Sequence, residues 1–168
     1  MTDVLDAVAN TAFATWVRES PSPFAYTAML SLHAAGLAFL VGFSVLIALR
    51  LLGLAPTIPL PPLAKVFPVI WVAFAVNAVS GSVLLIAGAA TLGRDPLIYI
   101  KLALIAVAMV IMRRIQTRVF GDPARLQKEG LPKGTGLLAA TAIICWSGAM
   151  VSGRLTAYPG LAQSWLGL

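Results

Sequence analysis

The sequence predicts an all-α integral membrane protein, an up-down bundle of four transmembrane helices preceded by an N-terminal interfacial amphipathic helix. Three observations carry that prediction. Of the 168 residues, 60% are apolar and only 11% charged, whereas soluble domains run at about 45–50% and about 25%. Mean hydropathy is +0.92. No charged residue lies between Glu19 and Arg50, between Lys65 and Arg94, or between Lys133 and Arg154. Each gap reaches the roughly 20 residues that cross a hydrocarbon core. Helices are required because an open sheet in lipid leaves backbone groups unpaired.

Residues 3–19 read as the interfacial helix. Val4, Leu5, Val8, Ala12, Phe13, Trp16 and Val17 recur at helical spacing, with Asp3, Asp6, Asn10 and Arg18 on the other side and Trp16 at headgroup depth. The opening acids and the missing basic n-region and apolar core set this segment apart from a signal peptide. Ser20-Pro-Ser-Pro23 redirects the chain.

The first span is expected at 24–50. The proline-rich stretch 54–62 reads as a short extended connection. The second span is expected at 66–91, with Pro68 in its first turn. Gly93-Arg-Asp-Pro96 is a tight turn before the third span, 97–115. The basic segment from Arg113 to Lys133 reads as a surface loop, the fourth span as 134–153, and a tail with Tyr158, Pro159 and Trp165 follows. One membrane domain accounts for the whole chain, and short links between spans make neighbours antiparallel.

Arg50, Lys65, Arg113, Arg114, Arg118, Arg125, Lys128 and Lys133 gather at one end of the bundle. Arg18, Arg94 and Arg154 mark the other. The positive-inside rule then puts both termini outside the cytoplasm, on the periplasmic side of a bacterial inner membrane. The net charge of +6 is thus a topology signal rather than a nucleic-acid footprint. A single cysteine, Cys145, and a single histidine, His33, exclude a disulfide framework and a bis-His metal site within one chain. No Walker, Rossmann, zincin or nucleophile-elbow pattern is present.

Ionisable groups inside a span are costly and so are the first functional candidates. There are two, His33 and Lys101, about 13 Å and about 7 Å from the outer ends of their spans at the rise of a helix. Asn77, Ser80 and Ser82 on the second span and Trp146, Ser147 and Ser152 on the fourth belong to the same outer half. His33 reads either as a neutral imidazole bonded to a neighbouring helix or as an axial ligand to the iron of haem b. Met29, one turn away on the same face, can pack beside the macrocycle. Lys101 either snorkels to the headgroups or meets a haem propionate, a quinone carbonyl or the iron. The small-residue ladders Ala73/Asn77/Gly81 and Gly136/Ala140/Ile144/Gly148/Ser152 are expected packing stripes.

Trp16-Val-Arg-Glu-Ser20, His33-Ala-Ala-Gly36, Gly42, Leu49-Arg-Leu-Leu-Gly53, the proline opening the second span and Lys101 together resemble a bacterial family of uncharacterised small four-helix membrane proteins. The resemblance spans residues 16–115. The chain departs from it at Ala48, where an acidic residue is expected. More distantly the layout is similar to HemJ-type protoporphyrinogen oxidases and CopD-type membrane domains. The HemJ resemblance implies haem b and a functional pair at His33 and Lys101. Gly36-Leu-Ala-Phe-Leu40 replaces the aromatic and Pro-Arg residues that follow the histidine there.

These features lead to a membrane subunit that binds haem b, or a quinone, in a pocket of His33, Lys101, Asn77, Trp146, Ser147 and Met29. It would pass electrons to a periplasmic redox partner. The alternatives are a non-catalytic accessory subunit of a larger membrane complex and, third, a HemJ-like oxidase. Membrane lipids are the one partner common to all three readings.

Overall fold

The N-terminal segment folds as two helices rather than one. The computed structural model describes residues 2–158; Pro159 and Trp165 of the tail, and the side chains of Asp3 and Arg125, lie outside the described residues. Helix α1 (Thr2–Ala9) and helix α2 (Ala12–Glu19) are separated at Asn10-Thr11. Thr11 causes the break: its hydroxyl donates to Val8 O at 2.8 Å and accepts from Ala14 N at 3.3 Å, which caps α2. Ala14 and Val17 of α2 are buried, while Phe13 and Trp16 stack on its exposed side.

Four helical stretches are long and apolar enough to cross a membrane: Tyr26–Leu51, Leu60–Ala87, Pro96–Val119 and Thr135–Leu155. The chain is therefore a multi-pass helical membrane protein. In each stretch's most apolar window only 22–33% of residues are buried within the protein, so most of the apolar surface faces outward, as a hydrocarbon solvent demands.

Helix α3 (Tyr26–Leu51) ends on the Leu49-Arg-Leu-Leu-Gly53 element. Gly53 has φ +81°, its N–H donates to Arg50 O at 3.1 Å, and Leu54 N–H donates to Leu49 O at 3.1 Å. That is a Schellman stop, which needs glycine at the left-handed position. Arg50 adds a bond from Nε to Ile58 O that pins the following loop. The Leu49-Arg-Leu-Leu-Gly53 element is thus a helix terminator.

The connection after it is less extended than the prolines suggest. Pro61 and Pro62 fall in the first turn of helix α4 (Leu60–Leu63), where a missing N–H costs nothing. A 3-10 turn (Ala64–Val66) leads into helix α5 (Phe67–Ala87). The second span stops four residues earlier than expected at its far end, at Gly88, and Thr91 belongs to the short helix α6 (Ala89–Leu92).

Asp95 then caps helix α7 (Pro96–Val119) by accepting from Leu97 N at 2.9 Å. Most of the anticipated basic loop is also helical. Ile111, Met112, Ile115 and Val119 continue the buried stripe of α7 to its end, about one turn past the expected end of the span at residue 115, with Arg113, Arg114 and Arg118 on its exposed side. Helix α8 (Pro123–Glu129) follows, and Gly134, at φ +81°, starts helix α9 (Thr135–Leu155).

The spans pack in the order α5, α3, α9, α7. At the basic end α5 and α7 do meet: the Phe67 and Phe120 rings lie 5.4 Å apart, and Trp71 Nε1 donates to Gln116 Oε1 at 3.1 Å. Toward the other end they diverge, because α5 follows α3 while α7 follows α9. Sequence neighbours here are antiparallel without packing along their length. The chain instead bridges them with α6, on which α1 rests, and Arg94 holds both carboxylate oxygens of Asp6 at 2.8 Å.

Two stripes anticipated from small residues fare differently. Ala73, Asn77 and Gly81 do face α3, whereas Gly136 and Ile144 of α9 face outward. The buried face of α9 is Ala139, Ala142, Cys145, Trp146, Ala149 and Ser152. Gly36 sits at a close approach of α3 and α5; a Cβ there would lie 3.2 Å from Ala73 O and 3.3 Å from Asn77 N. Gly36→Val is expected to lower stability by about 1–3 kcal/mol by wedging the two helices apart. Thermal unfolding in detergent checks this, and an unchanged midpoint would remove the crossing from its central role.

Candidate functional site: a cleft between two diverging helices

The divergence of α5 and α7 leaves a cleft of about 880 Å³ at the end of the bundle that carries α1 and α2. Its floor is α3, its walls are α5 and α7, and the last turn of α9 closes one side. Ala78 and Ser82 on one rim and Leu102 and Ala106 on the other are exposed, so the cleft opens between the two walls onto the face directed at lipid. Its size lies within the range of small-molecule sites, about 300–1,000 Å³.

His33 and Asn77 are joined by a pair of reciprocal bonds. Asn77 Nδ2 donates to His33 O at 2.8 Å, and His33 Nδ1 lies 3.2 Å from Asn77 O. Because a carbonyl only accepts, Nδ1 carries the proton. The hydroxyl of Ser80, 3.3 Å from Nδ1, already donates to Val76 O at 2.7 Å and thus acts as a second acceptor. The remaining ring nitrogen, Nε2, makes no hydrogen bond with any described residue and keeps its lone pair. This is the tautomer that a metal-binding imidazole adopts when its other nitrogen donates to a carbonyl.

Gly81 lets the ring sit there: a Cβ at that position would come within 2.9 Å of His33 Cε1. One turn of Asn77-x-x-Ser80-Gly81 therefore supplies an acceptor, a second acceptor and the space for the imidazole. The four-residue spacing of Asn77 and Gly81 signalled close packing, but the sequence did not show that a histidine fills the gap.

Lys101 reaches the same cleft from α7. Its stem lies against Gly153 of α9, where a Cβ would be 3.1 Å from Cδ, Cε and Nζ. The ammonium has no hydrogen bond or ion pair among the described residues. Arg18, assigned to the polar side of the N-terminal helix, instead lines the rim. Its Nη1 donates to Ala9 O and to Ala87 O, both at 3.1 Å, which satisfies the carboxyl ends of α1 and α5, and Nη2 pairs with Glu19 at 3.0 Å. Nothing in the local pattern marked Arg18 for this role; the end of α5 that it reaches lies 69 positions away in sequence.

Of the six residues expected to form the pocket, the fold brings His33, Asn77 and Lys101 together. The other three lie elsewhere. Trp146 is buried in the core on α9, with its indole N–H unpartnered. Ser147 is the next residue, about 100° further round the helix, and is exposed on the outer side. Met29 is partly buried and does not line the cleft. Shared depth in the membrane placed all six in one layer, but only helix rotation decides which of them converge. Among the described residues, no group of three His, Cys, Asp or Glu is placed to hold a metal ion.

The fold and cleft define a class, the multi-pass four-helix membrane proteins with a ligand-sized opening between two spans. No protein-family model, curated protein or solved structure matches the chain. Asn77→Leu removes the amide while preserving much of its volume. It is expected to cost about 0.6–1.7 kcal/mol, the scale of interhelical bonds in membranes. A thermal or denaturant series in detergent measures the loss, and full stability in the variant would show that the reciprocal pair does not hold α3 to α5.

Proposed function

We propose that the protein is a membrane subunit that holds haem b in the cleft, with the His33 Nε2 lone pair as the iron ligand. The single observation that carries this reading is the orientation of His33: Nδ1 donates into α5, and Nε2 is left without a partner among the described residues in a cleft of ligand size. The donor set fits the group. One imidazole is too little for a bare ion, but a porphyrin brings four nitrogens of its own. Phe74, Leu84, Leu85 and Ile105 supply apolar wall for its faces, and Lys101 and Arg18 are cations for its propionates.

Haem b supplies reversible one-electron chemistry at its iron. The chain's own residues do the rest. Asn77 and Ser80 fix the ring plane of His33, Gly81 makes room for it, and the apolar walls exclude water. Lys101 has no counter-ion among the described residues, so an anionic group in the cleft would stabilise its ammonium. Arg18 bridges α1 and α5 over the rim. In the orientation set by the basic residues, this site lies in the periplasmic half of a bacterial inner membrane, within reach of a periplasmic redox partner.

The exposed rims of α5 and α7 favour a second reading, in which a quinone enters from the lipid. Its carbonyl would then be polarised by Lys101 or accept from a polar group of the cleft. An accessory subunit of a larger complex, or a HemJ-like oxidase, is compatible with the same bundle but gains no specific support from the cleft.

The absorbance spectrum of the purified protein is the test. A Soret band is expected, lost or shifted in His33→Ala and weakened in Gly81→Val, in which the added side chain pushes on the imidazole. A colourless protein, or an unchanged band in His33→Ala, ends the haem reading. Extraction of a quinone from that colourless protein, lowered in Lys101→Gln, would establish the second.

A further inference from the structure

A second cavity, of about 520 Å³, lies at the opposite end of the bundle, where α7 passes into α8 and the loop before α9. Its construction is independent of the cleft and of the proposed function. Val119 is buried and Leu126 partly buried against the core, so the floor is apolar and anchored. Gly121 permits the turn out of α7, since a Cβ there would collide with Thr117 O. Gly130 (φ +75°) closes α8, its N–H donating to Leu126 O at 3.2 Å, and Thr135 ties the loop back through Pro132 O at 2.7 Å. The loop is therefore held in one shape by backbone constraints.

Arg118 and Lys133 stand at the rim of this cavity, and both are exposed. Neither side chain makes a hydrogen bond or an ion pair among the described residues, and the side chains of Arg114 and Lys128 nearby in sequence make none either. The two ion pairs described, Arg18–Glu19 and Arg94–Asp6, are both at the other end of the molecule. One carboxylate, Asp122, also lines the cavity and offsets part of the positive charge, but it has interactions of its own. An apolar floor below two cations without counter-ions among the described residues, at the end of a membrane-spanning helix, matches an amphiphile with an anionic head.

We infer that this cavity binds the phosphate headgroup of an anionic phospholipid, with Arg118 and Lys133 on the phosphate and the first acyl carbons over Val119 and Leu126. A lipid is favoured over a soluble phosphate ester because the floor is apolar and α7 enters the cavity directly from its lipid-facing stretch, where Val107 and Val110 are exposed. The positive-inside orientation would set the site against the leaflet richer in anionic lipid.

Native mass spectrometry of the full chain, released from detergent after incubation with phosphatidylglycerol, phosphatidylcholine or inorganic phosphate, tests the inference. One retained phosphatidylglycerol per chain is expected, bound about tenfold more weakly in the Arg118→Gln/Lys133→Gln double variant, the loss of a charge-assisted contact. The charge-keeping Arg118→Lys/Lys133→Arg variant is expected to restore most retention, and Arg94→Gln, at the far end, to leave it unchanged. Equal retention of phosphatidylcholine, undiminished binding in the double variant, or displacement of the lipid by inorganic phosphate would each overturn it.

Discussion

The crossing of α3 and α5 at Gly36 and Asn77 is the constraint from which the cleft follows. Without a side chain at Gly36 the two backbones approach closely enough for Asn77 to reach His33 O and for His33 to reach Asn77 O. In a hydrocarbon solvent there is little hydrophobic drive to bring helices together, so close packing and such bonds decide which helices pair. Held along α3, α5 diverges from α7, which follows α9. The two meet where Phe67 and Trp71 face Phe120 and Gln116, and they diverge toward the other end. The imidazole that closes the crossing is also the group presented to the space so created.

The N-terminal helices complete the open end. Arg18 joins the carboxyl ends of α1 and α5, and Arg94 joins α1 to the link between α6 and α7 through Asp6. These contacts use groups that a helix end leaves unsatisfied. They set α1 and α2 as a brace across the two diverging spans, with Phe13 and Trp16 turned outward.

The spans were legible because charge is expensive in lipid and the gaps between charges measure the crossing directly. The ends were less legible where a residue's usual effect depends on its place in a helix. Pro61 and Pro62 break a helix interior but open α4, and Arg113 to Arg118 belong to a helix whose buried stripe runs on past the membrane. For the site, the rarity of His33 and Lys101 within spans singled them out, and they do share a cleft. Trp146 and Ser147 could not be sorted by composition, since adjacent residues on α9 point one into the core and one away from it. Gly153 and Gly81 act through the absence of a side chain, which carries no signal until its neighbour is known.

The wedge between α5 and α7, shut at the basic end and open at the other, has a thermodynamic consequence for whatever occupies it. A ligand entering between the spans comes from one leaflet only, and it has already partitioned out of water before it meets the protein. Occupancy is then governed by the ligand's mole fraction in that leaflet rather than by its aqueous concentration. Two membranes bathed in the same solution, differing only in how much of the ligand the monolayer at the open end dissolves, would fill the same site to different extents.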